Sequence, residues 1–97
     1  MEFQTLPLHD ATLISINYEW QLKSVSIVGE RYNSSIQKIS PFKILFTNVT
    51  LLSIPHSEEW GDSASILELA TLNASGYQIQ MQSGDLITIQ AGNFSFE

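Results

Sequence analysis

The sequence contains no cysteine. That excludes a disulfide framework and any thiolate metal site. A chain of 97 residues without such staples must hold together by its core. Charge is scarce too: only 14% of residues are Asp, Glu, Lys or Arg, where about a quarter is usual. A coiled coil and a charged disordered tail both need more. Basic residues are the scarcest, with four Lys and Arg against ten Asp and Glu and a net charge of -6. Nucleic acid is therefore not an expected partner, because phosphate binding needs a basic footprint. An anionic membrane surface is excluded on the same ground. No apolar run approaches the roughly 20 residues of a membrane span. The opening MEFQTLPLHDATL has no basic n-region and no long apolar h-region, so the expectation is a cytoplasmic protein of bacterial type.

What is present fits one globular domain over residues 1–97. Hydrophobic residues make up 43% of the chain and aromatics 10%. Four of the five Asn residues, Asn33, Asn48, Asn73 and Asn93, open an Asn-x-Ser/Thr triplet. In a secreted chain these would be glycan acceptors. Without a visible leader, the expectation is turns in a β-protein rich in Ser and Thr.

Apolar residues mostly alternate, which is the period of a half-buried strand. From Thr12 to Trp20, Ile14, Ile16, Tyr18 and Trp20 share one face, expected to be buried. Val25 and Ile27 follow. A hairpin pairing Ile16 with Ile27, Tyr18 with Val25 and Trp20 with Lys23 keeps all apolar side chains on one side. The stretch Gly29 to Ser40 is polar and reads as a loop. Phe42, Ile44 and Phe46 alternate after Pro41. The apolar phase then shifts at Val49 and Leu51, which predicts a bulge or corner. Pro55 to Asp62 is a loop and the most acidic stretch.

Residues Ser65 to Leu72 fit two patterns. Ile66 and Leu69-Ala70 have helical spacing, and Ser65 with Glu68 matches a capping box. Leu67, Leu69 and Thr71 alternate, and a strand is favoured because Asn73 to Gly76 then forms a turn. Tyr77, Ile79 and Met81 alternate with Gln residues. The loop Ser83-Gly84-Asp85 leads to Ile87, Ile89 and Ala91. Pairing Gln82 with Leu86 sets Met81 beside Ile87 and Ile79 beside Ile89. Phe94 and Phe96 add a short last strand. The fold class expected is all-β, an antiparallel sandwich or barrel of about seven or eight short strands. The alternative is α+β with a helix near 63–72.

Few residues offer chemistry. The only histidines are His9 and His56. With Asp10 and Glu58 they form a weak candidate set for a divalent metal or a metal-dependent enzyme, through imidazole and carboxylate. Glu58 and Glu59 are adjacent, so they point apart and do not suit a glycosidase pair. No GxSxG elbow orients a nucleophile and no glycine-rich loop cradles phosphate. No cofactor and no enzymatic activity are expected. Trp60 lies in the acidic loop, where an aromatic either folds back to close one end of the sandwich or, left exposed, anchors a protein partner or stacks on a sugar. Gln78, Gln80, Gln82 and Gln90 form a polar, nearly uncharged face. It is either hydrated or used in a subunit or partner contact.

Leu8-His9-Asp10-Ala11-Thr12-Leu13, Trp60-Gly61 and Met81-Gln82-Ser83-Gly84-Asp85 together resemble small bacterial β-rich proteins of uncharacterised function, some encoded near polymorphic toxins. The resemblance implies a cytoplasmic β-domain, with immunity-type binding as one option and no assigned activity. The leading expectation is a non-enzymatic module that binds a protein, either a basic partner or itself. Glu58, Glu59, Trp60 and Asp62 form its site, since an acidic surface around an aromatic suits a basic partner. A small-ligand or sugar-binding module using Trp60 is the alternative.

Overall fold

The structure is a computed structural model that describes residues 2–97. Its eight strands are β1 (Thr12–Glu19), β2 (Ser24–Asn33), β3 (Lys38–Thr47), β4 (Leu51–Ser53), β5 (Ile66–Asn73), β6 (Gly76–Met81), β7 (Leu86–Gln90) and β8 (Asn93–Phe96). One sheet has the order β1-β2-β3-β8 and the other β4-β7-β6-β5, with every pairing antiparallel. The sheets remain separate, so the architecture is a sandwich rather than a closed barrel. The phase shift at Asn48 is the corner where the chain leaves the first sheet, after β3, and enters the second at β4. Asn48 adopts a left-handed backbone there, with φ 55°, a conformation that Asn tolerates better than most residues. Among the described residues there is no α-helix, only a 3-10 turn at Phe3–Thr5.

The core lies between the sheets and follows the alternation of the strands. Val25 and Ile27 of β2 and Phe42, Ile44 and Phe46 of β3 face Tyr77, Ile79 and Met81 of β6 and Ile87 and Ile89 of β7. Phe3, Leu6 and Leu8 join them from the N-terminal segment. Phe3 is the hub of an aromatic cluster, with ring centroids 5.8 Å from Phe46, 5.1 Å from Tyr77 and 5.3 Å from Phe94. These are edge-on contacts, which aromatic quadrupoles favour.

The strand expected at 65–72 is present as β5, and the helical alternative is overturned. Its helix-like spacing has a local cause. The pairing with β6 skips a residue between Ile66 and Glu68. That bulge brings Ile66 and Leu69 to the same buried face, three residues apart as on a helix. The first hairpin has the expected register, Ile16 opposite Ile27 and Tyr18 opposite Val25.

Three expectations are corrected. Gly29 to Ser40 is not a loop: β2 and β3 run on to Asn33 and Lys38, leaving Ser34–Gln37 as the turn. Polar composition misled here because the outer end of this hairpin extends past the core. Tyr32 and Ile39, cross-strand partners, are both exposed there. Second, the β6–β7 hairpin pairs Gln80 with Leu86 and Ile79 with Ile87, two residues from the expected register. An even slip preserves which side chains face inward. The longer turn follows from its tertiary bonds, since Gln82 N–H donates to the Ser65 carbonyl.

Third, the face of Ile14, Ile16, Tyr18 and Trp20 is not buried as a whole. Ile14, Tyr18 and Trp20 are exposed, Trp20 at 81%. The pairing with β2 shifts between Leu13 and Ser15, so Ile14 is the extra residue of a bulge. Gly29 makes this approach feasible. A Cβ there would collide with the Thr12 carbonyl and with the Phe42 ring.

Two of the Asn-x-Ser triplets have a structural explanation. Asn33 Oδ1 accepts from Ser35 N–H and Asn73 Oδ1 accepts from Ser75 N–H, each at 3.0 Å. These are side-chain-to-backbone bonds that stabilise hairpin turns.

Candidate functional site

Residues 54–64 form the loop that leaves the short strand β4 and crosses to β5. Its composition prevents regular pairing, with Pro55 at the start and Gly61 at φ 107°. Asp85, from the turn before β7, anchors it. Asp85 is buried and its Oδ1 accepts from Ser57 N–H at 2.7 Å. Its Oδ2 accepts from Ser83 Oγ at 2.7 Å and from Glu58 N–H at 3.1 Å. The Ser83 hydroxyl lowers the Asp85 pKa most, and the Ser57 and Glu58 N–H groups and the nearby His56 add to this against the opposing cost of burial. Bonds to the charged form favour it. Glu58 takes a left-handed backbone, φ 53°, at this point of the loop.

Trp60 is fixed to the same turn. Its N–H donates to the Ser83 carbonyl at 3.0 Å, and its ring lies over Gly84. A Cβ on Gly84 would come within 2.8 Å of the ring, and the φ of 93° there also favours glycine. Trp60 is nonetheless 65% exposed, with one face of the indole on Gly84 and much of the rest turned to solvent. Glu59 and Asp62 are exposed on either side of it, and Glu58 is half-buried. The structure therefore keeps Glu58, Glu59, Trp60 and Asp62 on one loop held in one conformation.

Beside this loop runs a groove of about 400 Å³. Its walls include Leu13, Ile14 and Ile16 of β1, with Ile54, Met81 and Ile87 opposite. Glu58, Asp62 and His56 stand at its polar end. Charge is distributed unevenly over the molecule. All four cations, Lys23, Arg31, Lys38 and Lys43, belong to the β1–β2 turn or to β2 and β3. From Ile44 onward the chain has Glu58, Glu59, Asp62, Glu68, Asp85 and Glu97, and no Lys or Arg. The loop thus belongs to the half of the sequence that carries no Lys or Arg.

The histidines lie in two separate pairs. His9 Nδ1 donates to the Leu67 carbonyl at 2.6 Å, and its Nε2 is 3.4 Å from Asp10. Asp10 Oδ1 accepts from Gln82 Nε2 at 2.5 Å. His56 Nε2 is 3.6 Å from Glu58. Among the described residues no three His, Asp or Glu side chains come together to hold a metal ion. Gln82 is drawn to Asp10 and the Ile66 carbonyl, so it does not continue the polar face of Gln78 and Gln80. No helix among the described residues is long and apolar enough to cross a membrane.

Ser83 and Asp85 are the site residues that sequence reasoning missed. Ser83-Gly84-Asp85 reads as turn chemistry, and nothing local shows that the turn's acid faces inward to bind a distant loop. Comparison with known proteins gives no match to a family model, to a curated protein or to a solved structure.

Proposed function

We propose that the chain is a non-enzymatic protein-interaction module that binds a basic partner through the loop Glu58–Asp62. Immunity-type neutralisation of a basic toxin is one member of that class. The observation that supports this reading most is Trp60, 65% exposed yet anchored through its N–H to Ser83 and its ring to Gly84. A large aromatic already fixed in place loses little freedom on binding, which favours affinity. Hot spots are enriched in such residues. Glu58, Glu59 and Asp62 lie in the same loop, in a half of the sequence without Lys or Arg. Complementary charge would speed encounter with a basic surface and reject acidic ones.

The test is retention of partners from the protein's own cell lysate by the tagged chain, beside Trp60→Ala, with bound proteins identified by mass spectrometry. The expected result is a basic protein held by the wild type, lost from the variant and released by salt. A folded wild type that retains no specific protein would overturn the reading. Equal retention by Trp60→Ala would overturn the site. A neutral sugar that shifts Trp60 fluorescence, with no protein retained, would replace this reading with a ligand-binding one.

A further inference from the structure

Of the four sheet edges, three are short or covered. β4 has three residues and β8 four, and the N-terminal 3-10 turn packs against β5. The fourth, β1, is eight residues long and ends its sheet. Only its first residues are engaged on the outer side, where Leu13 N–H donates to the Ala64 carbonyl and Thr12 bridges Ser65. From Ile14 to Glu19, among the described residues, no strand pairs with it on that side. Edges are normally protected by Lys, Pro, inward-pointing charge or a bulge, and the one bulge of β1 lies at its start, at Ile14. This stretch, ISINYE, has neither Lys nor Pro and carries a single charge, Glu19.

The same strand presents unpartnered apolar side chains. Ile14 is 58% exposed and Tyr18 40%, and Trp20, 81% exposed, and Leu22 stand in the turn that follows the strand. Tyr18 and Trp20 pack edge-on at 6.0 Å, and Ile14 lines the groove. Low charge with Tyr and Trp is the composition of an interface core.

We infer that β1 pairs antiparallel with β1 of a second copy about a two-fold axis at Asn17, so that Trp20 of each copy enters the apolar groove of the other. Geometry narrows the register. Paired residues must point to the same face, so a two-fold axis can pass only through a residue. The open stretch with Trp20 runs from residue 14 to residue 20, and its centre is Asn17. Ile16 then meets Tyr18 of the partner subunit, and Trp20 of the partner subunit comes alongside the bulge at Ile14. Glu19 meets Ser15 of the partner subunit, so no like charges oppose each other. The groove of about 400 Å³ has room for an indole. The two four-stranded sheets that contain β1 become one of eight strands, and each copy's exposed β1 edge is removed.

The area agrees with a dimer of modest affinity. Removing the exposed parts of Trp20, Tyr18 and Ile14 from water buries roughly 400 Å² of side-chain surface per copy, on aromatic side-chain areas of about 150–250 Å². Two copies then bury about 800 Å² before the paired backbone is counted, at the low end of interface sizes, where contacts are weak. Area alone does not set the affinity, which depends on how well Trp20 fills the groove. Salt should strengthen the dimer, because each copy carries a net charge of -6 and screening relieves their repulsion. That sign is opposite to the one expected for a basic partner at Trp60, so the two contacts are separable.

The test is sedimentation equilibrium of the full chain over a wide concentration range, at low and high salt, with Trp20→Ser beside it. The expected result is a dimer that tightens with salt and weakens about tenfold or more in Trp20→Ser. The outward-facing backbone amides among residues 15–19, those not already bonded to β2, should gain hydrogen-exchange protection as the dimer forms. Trp20 is exposed, so the variant should fold, and circular dichroism checks that. A monomer throughout would overturn the proposal and leave the Trp60 reading untouched. A dimer unaffected by Trp20→Ser, or one without protection at residues 15–19, would overturn it as well.

Discussion

Phe3 and Ile14 occupy opposite sides of the sandwich. Phe3 contacts β3, β6 and β8, and Ile14 lies in the groove between β1 and the loop after β4. Phe3 is 1% exposed and Ile14 is 58% exposed. The first side is filled by the chain's own N-terminal segment, which contributes Phe3, Leu6 and Leu8 to the core. The second is bordered by a loop held to the neighbouring turn by the Asp85 carboxylate and by the Trp60 backbone N–H, and its apolar walls remain accessible. The filled side supplies stability, and the open side carries the surface available for recognition.

The largest expected effect attacks the filled side. Phe3→Ala removes the hub of the aromatic cluster and should cost about 3–5 kcal/mol, measured by urea unfolding. A much smaller loss would mean that the N-terminal segment contributes little to the sandwich and that the contrast is false. Next, Gly84→Ala should destabilise by more than about 1 kcal/mol, since φ is positive and the added methyl meets Trp60. In a Trp60→Ala background the loss should shrink, because only the backbone cost remains.

Asp85→Asn tests the bond that shapes the open side. Its folded pKa lies below the unfolded value, so its stabilisation is present above the unfolded carboxylate pKa, about 3.9. It is lost as pH falls through the folded value. Thermal unfolding of the wild type should therefore lose an increment on acidification below about pH 4 that Asp85→Asn lacks. Equal acid profiles would show that the carboxylate does not hold the loop. The smallest effect is expected from Ile14→Ser, which should stay within about 0.5 kcal/mol of the wild type at high dilution. A larger loss in a monomeric sample would show that the open side is part of the core after all.

Much of the fold was legible because alternation is local. The pairing of Ile16 with Ile27 needs only that both faces stay consistent across a four-residue turn. The strand at Ile66–Asn73 was legible through its neighbouring turn, although a bulge gave it helical spacing. The exposure of Trp20 was not legible. A residue on the apolar face of an edge strand is buried only if something lies across from it. The candidate loop was visible by its acids and Trp60, while its support was not. Asp85 reaches Ser57 across 28 positions of chain, and no local pattern encodes that bond.

The sequence by itself determined the class of structure, the faces of most strands, the register of the first hairpin and the acidic balance. These follow from side-chain period and net charge, which act residue by residue. Tertiary structure decided the order of the strands and therefore which of them lie at an edge. It decided that the N-terminal segment fills one side, and that Asp85 faces inward. Each of these depends on contacts between segments far apart in the chain, where burial is set by the neighbour that arrives rather than by the residue itself.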